Sequence, residues 1–226
     1  YSTNNGTDWI SIAPSVAASL RSYDWTVPNN PSTECLVKIT DVSNINTNDV
    51  SNNKFTIYQP SLVLTSPDGA ESWRVGTSQN ITWQNNFVAN VKLEYTINDG
   101  TDWITIAAST PAAALTYAWV VPNTVSTQCK VRISDALEPA INDVSNNTFE
   151  IYKPVLTLTS PIGSETWRIG TDHNITWTST KVNNVKIEYT TDNGNTWLTV
   201  INTIPAATST YTWTIPNTAS ANCKVK

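Results

Sequence analysis

Short stretches of this chain alternate between apolar and polar residues. In Val91–Thr96 every second side chain is apolar, and the side chains between them are charged or hydroxylated. The same alternation returns in Thr116–Val121, Gln128–Ser134 and Thr148–Tyr152. Such alternation is typical of an antiparallel strand with one face on a core and the other in water. No stretch has a convincing helical period, so the pattern predicts an all-β protein.

The alternating stretches recur with a fixed period. Trp9, Trp103 and Trp197 lie 94 residues apart, and Ser160–Trp177 resembles Ser66–Trp83 throughout its length. Three further tryptophans and all three cysteines keep the same spacing: Trp25, Trp119, Trp213, Cys35, Cys129 and Cys223. A regular recurrence of this length indicates tandem domains of one fold.

The period predicts where the repeats begin and end. We expect the later part of one repeat at 1–59, a complete repeat at 60–153 and the earlier part of a third at 154–226. Tyr1 and Lys226 both fall at mid-strand positions of the repeat. We therefore expect the chain to be a portion of a longer tandem array.

Each tryptophan of the period follows a predicted tight hairpin. Thr190–Trp197 reads T-T-D-N-G-N-T-W, and the other two copies place N-G or D-G at the same positions. Such a step between two alternating stretches favours a hairpin turn, because Gly adopts positive φ without strain. The motif resembles the Asp-box of sialidase propellers, S-x-D-x-G-x-x-W, which is itself a structural hairpin element. Only Asp192 supplies its acid, since Asn4 and Asn98 stand in the other copies, and a propeller would repeat the motif at a shorter period.

The complete repeat is predicted to contain about seven strands. Turn residues separate the strands at short intervals, as expected for a β-sandwich. Two longer stretches, Ala107–Leu115 and Asp135–Asn147, are predicted to be connections. Trp73, Trp83 and Trp119 alternate in phase with neighbouring aliphatic residues, so we expect all three in the core.

The cysteines occur once per repeat. Cys129 shares a strand face with Val131 and Ile133, which predicts a buried free thiol that packs as a small hydrophobic group. A disulfide would need two cysteines within about 7 Å of each other, and a whole repeat separates them.

Several ordered motifs together resemble a known family. They are P-x-G-x-E-x-W-x-x-G-T-x-x-N-I-T-W, V-K-[IL]-E-Y-T, N-G-x-x-W, W-x-[VI]-P-N and F-x-I-Y. This series resembles the immunoglobulin-like and fibronectin III-like tandem repeats of large bacterial secreted and surface proteins. It is also similar to Ser/Thr-rich, GPI-anchored-type immunoglobulin-like repeats. The resemblance implies tandem immunoglobulin-like β-sandwiches that serve as stalks, spacers or adhesive modules.

Composition and charge exclude some functions. Charged residues make up only 14% of the chain, and Asn, Thr and Ser fill the polar positions, a composition common in secreted proteins. The net charge of −5, without a basic stripe, disfavours nucleic acid as a partner. No apolar run is long enough to predict a membrane span.

The sequence predicts no catalytic centre and no cofactor. His173 is the only histidine, and Gln79 occupies its place in the complete repeat, so no His-based triad recurs. Glu71 and Glu165 recur, but no second acid is placed to pair with each for glycoside cleavage. We therefore expect that the chain is not an enzyme.

Three sets of residues are candidates for binding or modification. The hairpin tryptophans either cover their turns or offer sugar-stacking platforms: Trp9, Trp103 and Trp197. Acidic residues near the end of the repeat either bind Ca²⁺ or form solvated Asx turns: Asp41, Asp49, Asp135 and Asp143. The asparagines of N-x-[ST] sequons are acceptors in a cell that glycosylates surface proteins: Asn5, Asn80, Asn146 and Asn174.

The short connection between repeats favours a structural function. Only Lys153-Pro154 lies between the last strand of one repeat and the first strand of the next, and Pro restricts both its own φ and the preceding residue. We expect an extracellular or cell-surface rod, filament or stalk whose partners are neighbouring repeats and other copies of itself. The alternative is a cell-surface adhesin or carbohydrate-binding array that recognises surface glycans.

Overall fold

The computed structural model describes residues 1–226 and consists almost entirely of strands. The first strands are β1 (Ser32–Cys35), β2 (Lys38–Thr40), β3 (Asn48–Val50), β4 (Phe55–Ile57), β5 (Ser61–Ser66), β6 (Ser72–Arg74), β7 (Ser78–Asn86), β8 (Asn90–Thr96), β9 (Ile104–Pro111) and β10 (Thr116–Val120). They are followed by β11 (Ser126–Asp135), β12 (Asn142–Val144), β13 (Phe149–Tyr152), β14 (Val155–Ser160), β15 (Asp172–Thr180), β16 (Asn184–Thr190), β17 (Leu198–Pro205), β18 (Thr210–Thr214) and β19 (Lys224–Val225). The helices are short 3₁₀ turns at Ala18–Leu20, Ala112–Ala114 and Ala206–Thr208, and none is long and apolar enough to cross a bilayer.

The chain divides into two compact units. The first consists of Tyr1–Gly69, Asn80–Trp119 and Lys130–Thr148. The second consists of Ala70–Gln79, Val120–Cys129 and Phe149–Lys226.

Two layers of sheet form the core of the first unit. One layer has the strand order β10-β7-β5. In the other, β8 pairs antiparallel with β9 and with the part of β11 that begins at Lys130, and β12 pairs with β11. The Tyr95 and Trp119 rings lie 5.0 Å apart between the layers. At the start of the chain, β1 pairs with β4 and β2 with β3, and a smaller core forms around Tyr1, Cys35 and Ile57.

The second unit contains a sandwich built in the same way. Its layers have the strand orders β14-β15-β18 and β17-β16-β19, and their facing residues form one core: Ile175, Trp177, Val185, Ile187 and Ala206. The Tyr189 and Trp213 rings lie 4.9 Å apart, 94 residues after the equivalent pair of the first unit. In the same unit β13 pairs with the first part of β11 and, in parallel, with β6.

The predicted core tryptophans are confirmed. Trp73, Trp83 and Trp119 are buried. The Trp83 indole N–H donates to the Ala112 carbonyl at 2.8 Å, and Trp177 repeats this bond to Ala206. A buried indole N–H needs an acceptor, and the first residue of the 3₁₀ turn that follows β9 or β17 supplies it.

The all-β sandwich class is confirmed, but the estimate of about seven strands is too low. Residues 60–153 contain nine strands, β5 to β13. The predicted connection at Ala107–Leu115 was wrong in its first half, because β9 continues to Pro111. The predicted loop at Asp135–Asn147 contains β12, which pairs Asp143 with Ile133 of β11. Both additional elements are polar or small in sequence, so alternation of apolar residues does not reveal them.

Candidate functional site

A side-chain hydroxyl organises each tryptophan hairpin. Thr96 Oγ1 accepts hydrogen bonds from the amides of Asn98 and Gly100, both at 3.2 Å. Thr190 Oγ1 does the same in the third copy at 3.2 and 3.1 Å, and Ser2 Oγ in the first at 3.2 and 2.9 Å. The hydroxyl therefore satisfies amides that the tight turn leaves without a backbone partner.

The side chain two residues later completes the turn. Asn98 Oδ1 accepts from Thr96 Oγ1 at 2.7 Å and from the Asp102 amide at 3.0 Å. In the third copy Asp192 takes this place and accepts from Thr190 Oγ1 at 2.6 Å. Hydrogen bonds from Thr190, then from the hydroxyl and amide of Thr196, lower the pKa of Asp192 from 3.8 to about 2. The acid of the Asp-box-like motif thus acts here as a hydrogen-bond acceptor within the hairpin.

Each hairpin tryptophan lies against its turn glycine and beneath a cation. Gly100 has a φ of +93°, which other residues rarely adopt, and this explains why the turn residue is Gly. A Cβ there would be in ordinary contact with the Trp103 ring, at 3.5 Å. The Arg132 guanidinium is centred 4.3 Å from the Trp103 ring centroid. The two equivalent pairs keep this arrangement: Lys38 lies 4.4 Å from Trp9, and Lys226 lies 4.1 Å from Trp197. A cation over an aromatic face is an attractive contact.

This geometry supports the interpretation that the three tryptophans cover their hairpins. Each ring is half-buried and carries a cation over one face. Sugar stacking at Trp9, Trp103 and Trp197 stays a prediction, and a sugar would have to displace the cation to reach that face.

A carboxylate positions the cation beside Trp103. Glu94 is buried, and its Oε2 accepts from Arg132 Nε at 3.0 Å and from Nη2 at 2.7 Å. Lys92 Nζ lies 2.6 Å from Glu94 Oε1. Burial alone would raise the pKa of Glu94, but the hydrogen bonds and charges of Lys92 and Arg132 outweigh it and hold the pKa below its usual value. Glu188 has the equivalent place and contacts Lys186 at 2.6 Å and Lys226 at 3.3 Å.

The four candidate calcium ligands accept hydrogen bonds from the chain itself. Asp41 accepts from Ser43, Asp49 from the Val50 amide and Asp135 from the Leu137 amide. Asp143 accepts from its neighbour Val144 and, at 2.7 Å, from the Leu64 amide of β5. No group of three or more His, Cys, Asp or Glu side chains is close enough to hold one metal ion. The bond from the Leu64 amide makes Asp143 a link between β12 and β5. Its position in a polar stretch of sequence did not indicate this role.

The sequon asparagines are all exposed. Asn5 lies in the first hairpin turn, while Asn80 and Asn174 lie on the equivalent strands β7 and β15. Asn146 is the most constrained, because its side-chain amide donates to Asp68 Oδ2 at 3.0 Å. Glycosylation at these positions stays a prediction.

The histidine and the cysteines have structural environments. His173 stacks on Trp167 with ring centroids 4.5 Å apart and planes 5° apart. Cys35 and Cys129 are free and fully buried, whereas Cys223 is free and exposed. Burial raises the pKa of the Cys129 thiol, which makes it a poor nucleophile.

A second recurring arrangement lies where one predicted repeat meets the next. Tyr58, just after β4, stacks on Phe87 in the β7–β8 turn, with centroids 4.5 Å apart and planes 22° apart. The equivalent residues 94 positions later are Tyr152 and Lys181, whose Nζ lies 5.1 Å from the Tyr152 ring centroid. Lys181 also contacts Glu150 Oε2 at 2.6 Å. We call these the first and second junction pairs.

Sequence reasoning missed the cations over the tryptophans and both junction pairs. Their members are far apart in sequence, so alternation within a strand cannot connect them. The period contains the signal, however: positions 38, 132 and 226 are all Lys or Arg, and positions 58 and 152 are both Tyr.

The fold and these sites define the chain as an all-β protein of immunoglobulin-like β-sandwiches. No protein-family model and no curated protein sequence matches it. Among solved structures, the fibronectin(III)-like modules of Clostridium thermocellum CbhA are 17% identical, with 67% of this chain and 77% of that chain covered and a TM-score of 0.27. The complex of Dpr11 IG1 with DIP-gamma IG and IG2 gives 9% identity, 74% and 96% coverage and a TM-score of 0.26.

Proposed function

We propose that this chain is a non-catalytic, load-bearing part of an extracellular rod or stalk built from tandem immunoglobulin-like repeats. The repeats are those the period predicts, at 1–59, 60–153 and 154–226. Its partners are the neighbouring repeats and other copies of the array.

The observation that carries the proposal is the parallel pairing of β6 with β13, which lie near opposite ends of the repeat at 60–153. Glu150, Ile151 and Tyr152 pair with Ser72, Trp73 and Arg74. The Val75 amide donates to the Tyr152 carbonyl at 2.9 Å, and the Glu150 amide donates to the Glu71 carbonyl at 2.8 Å. Because the strands are parallel, tension on the two ends of the repeat pulls them past each other and loads these bonds together. A ladder loaded in this way resists force better than one opened bond by bond.

A second set of bonds holds the first strand of this repeat. Asp143 accepts from the Leu64 amide, and Ser145 Oγ donates to the Pro67 carbonyl at 2.7 Å. Asp68 accepts from the Asn146 amide at 2.8 Å. Tension applied at Pro60 acts first on β5, which these bonds connect to the 143–146 segment. The bonds must break before β5 can separate from the core.

The links between repeats are short and proline-containing. Gln59-Pro60 leads directly to β5, and Lys153-Pro154 leads directly to β14. Two residues with restricted backbone angles leave little freedom for hinging. Both links are accompanied by a junction pair, which supports a defined angle between repeats.

Stretching single molecules of the chain tests the proposal. We expect unfolding of residues 60–153 to lengthen the chain by about 300 Å, because an extended chain spans roughly 3.3–3.6 Å per residue. Asp143→Ala should lower the force of that event, since it removes the acceptor of the Leu64 amide. Asp135→Ala is the matched control, because Asp135 accepts only from Leu137 in its own loop, and it should leave the force unchanged.

Two outcomes would contradict the proposal. One is an equal unfolding force for the Asp143→Ala variant and the wild type. The other comes from small-angle scattering of the same chain, where a rod requires an elongated profile and a globular profile or a broad range of angles indicates a flexible tether.

A further inference from the structure

An open cavity of about 430 Å³ lies beside the first junction pair. Its lining includes Tyr58, Phe87, Thr33, Thr56, Gln59 and Asn86. The cavity is a shallow depression that is open to solvent, so a ligand bound there would keep part of its surface in water. All of these residues belong to the first compact unit.

The two aromatic rings are unusually accessible. Tyr58 is 53% and Phe87 59% exposed, although each ring shields part of the other. Large aromatic side chains that stay exposed together, with polar residues around them, mark interaction sites. The hydrophobic core does not account for this pair, because both rings are more than half exposed.

The polar part of the lining is uncharged and available. No Asp, Glu, Lys, Arg or His lines the cavity. The side chains of Thr33, Thr56 and Gln59 make no hydrogen bond to the rest of the chain, and the Asn86 amide makes one long contact of 3.4 Å to the Gln59 carbonyl. These hydroxyl and amide groups are thus free to bind a ligand that both donates and accepts hydrogen bonds.

The second junction supplies a natural contrast. At the equivalent positions Thr56 is replaced by Glu150, Gln59 by Lys153 and Phe87 by Lys181. Lys181 and Glu150 pair with each other there. The tyrosine is common to both junctions, but only the first combines it with a second ring and a neutral lining.

We propose that the Tyr58–Phe87 ring pair and the neutral hydroxyl and amide side chains beside it form a binding site for a neutral carbohydrate chain. The apolar face of a pyranose ring packs on an exposed aromatic face, and its hydroxyl groups exchange hydrogen bonds with Thr33, Thr56 and Gln59. An anionic ligand would find no cation in this lining. This site is distinct from the hairpin tryptophans, whose rings carry cations.

Titration calorimetry and saturation-transfer NMR of the 226-residue chain test the site. The probes are neutral hexasaccharides: cellohexaose, xylohexaose, mannohexaose and chitohexaose. We expect saturable binding of at least one of them. Phe87→Ala and Tyr58→Ala should weaken that binding about tenfold or more, because a sugar-stacking ring supplies much of the energy of a small site.

Two further variants separate the site from general effects. Phe87→Lys gives the first junction the residue of the second, and we expect it to weaken binding as Phe87→Ala does. Tyr152→Ala changes the tyrosine of the second junction and should leave binding unchanged. Because Tyr58 and Phe87 are exposed, thermal unfolding followed by circular dichroism should be the same for the Phe87 variants and the wild type.

Three results would overturn the proposal. They are the absence of saturable binding for all four sugars, binding that is unaffected by both Phe87 variants, and binding of decaproline at these rings without a response to any sugar. The last result would assign the ring pair to proline-rich peptides. None of these results bears on the unfolding force of residues 60–153, so the load-bearing function is tested separately.

Discussion

Replacing Glu94 by Gln should destabilise the complete repeat in a pH-dependent manner. Glu94 is 6% exposed and joins Lys92 and Arg132. Gln keeps the shape of the side chain but removes its charge, so the two cations lose their shared counter-ion. Arg132 also loses the carboxylate that holds it beside Trp103.

The magnitude follows from the exposure of the partners. A hydrogen bond to a charged group contributes about 1.5–3 kcal/mol, but the side chains of Lys92 and Arg132 are 37% and 32% exposed. Water screens such partly exposed pairs. We therefore expect a loss of about 1–2 kcal/mol in the free energy of unfolding at pH 7.

The pH dependence has a definite sign. The folded protein holds the pKa of Glu94 below its usual value of 4.5, so the carboxylate stabilises the fold above that value. This contribution is lost as the pH falls through the lowered pKa. In acid the wild-type carboxyl group becomes neutral, as Gln is, and the two proteins should have the same stability.

The stability of this part of the chain can be measured separately from the rest. The method is hydrogen exchange in a urea series, followed by mass spectrometry of peptides from β8 and β11. Glu188→Gln is the matched control, because it breaks the equivalent contacts in the third repeat and should leave β8 and β11 unchanged. Equal protection of the Glu94→Gln variant and the wild type at pH 7 would refute the reasoning. A difference that persists in acid, after the Glu94 carboxyl group has taken up its proton, would also refute it.

Two further predictions concern single groups. A thiol reagent added to the folded chain should label Cys223 quickly and Cys35 and Cys129 slowly, because the latter two are fully buried; fast reaction at all three would show that the core opens. A carbon-detected NMR titration should find the Asp192 carboxyl group changing protonation at pH about 2. Its contribution to the stability of the third hairpin should therefore be complete above pH 3.8 and lost as the pH falls towards 2. In the second hairpin Asn98 accepts the equivalent hydrogen bonds without a charge. Asp192→Asn should therefore leave the third hairpin folded at neutral pH, and unfolding of that hairpin in the variant would contradict this account.

The buried face of each strand could be predicted from sequence because it depends on local alternation. Trp83 and Trp119 share phase with aliphatic neighbours, and both are in the core. The hairpins were predictable for a similar reason, since the Gly of each turn and the tryptophan that covers it are close in sequence.

The remaining features depend on contacts between distant positions. β12 forms because the 142–144 segment meets β11, and its own residues have no strand pattern. Arg132 of β11 reaches across β8 to Trp103, which precedes β9. Phe87 meets Tyr58 across the predicted boundary between repeats. A single repeat contains no sign of these contacts, and only comparison of positions 94 residues apart indicates that they recur.

The positions that differ between the two junctions are surface positions. Thr56 and Phe87 are exposed in the first junction, and Lys153 and Lys181 are exposed in the second. Substitutions at such surface positions usually change the free energy of unfolding by less than about 0.5 kcal/mol. The junction residues can therefore differ between repeats while the core tryptophans and hairpin glycines stay the same. Tyr58 and its equivalent Tyr152 lie at the predicted boundaries between repeats, and the residues around them set the local chemistry. The array that we propose carries tension through a constant frame and presents a different binding surface at each junction.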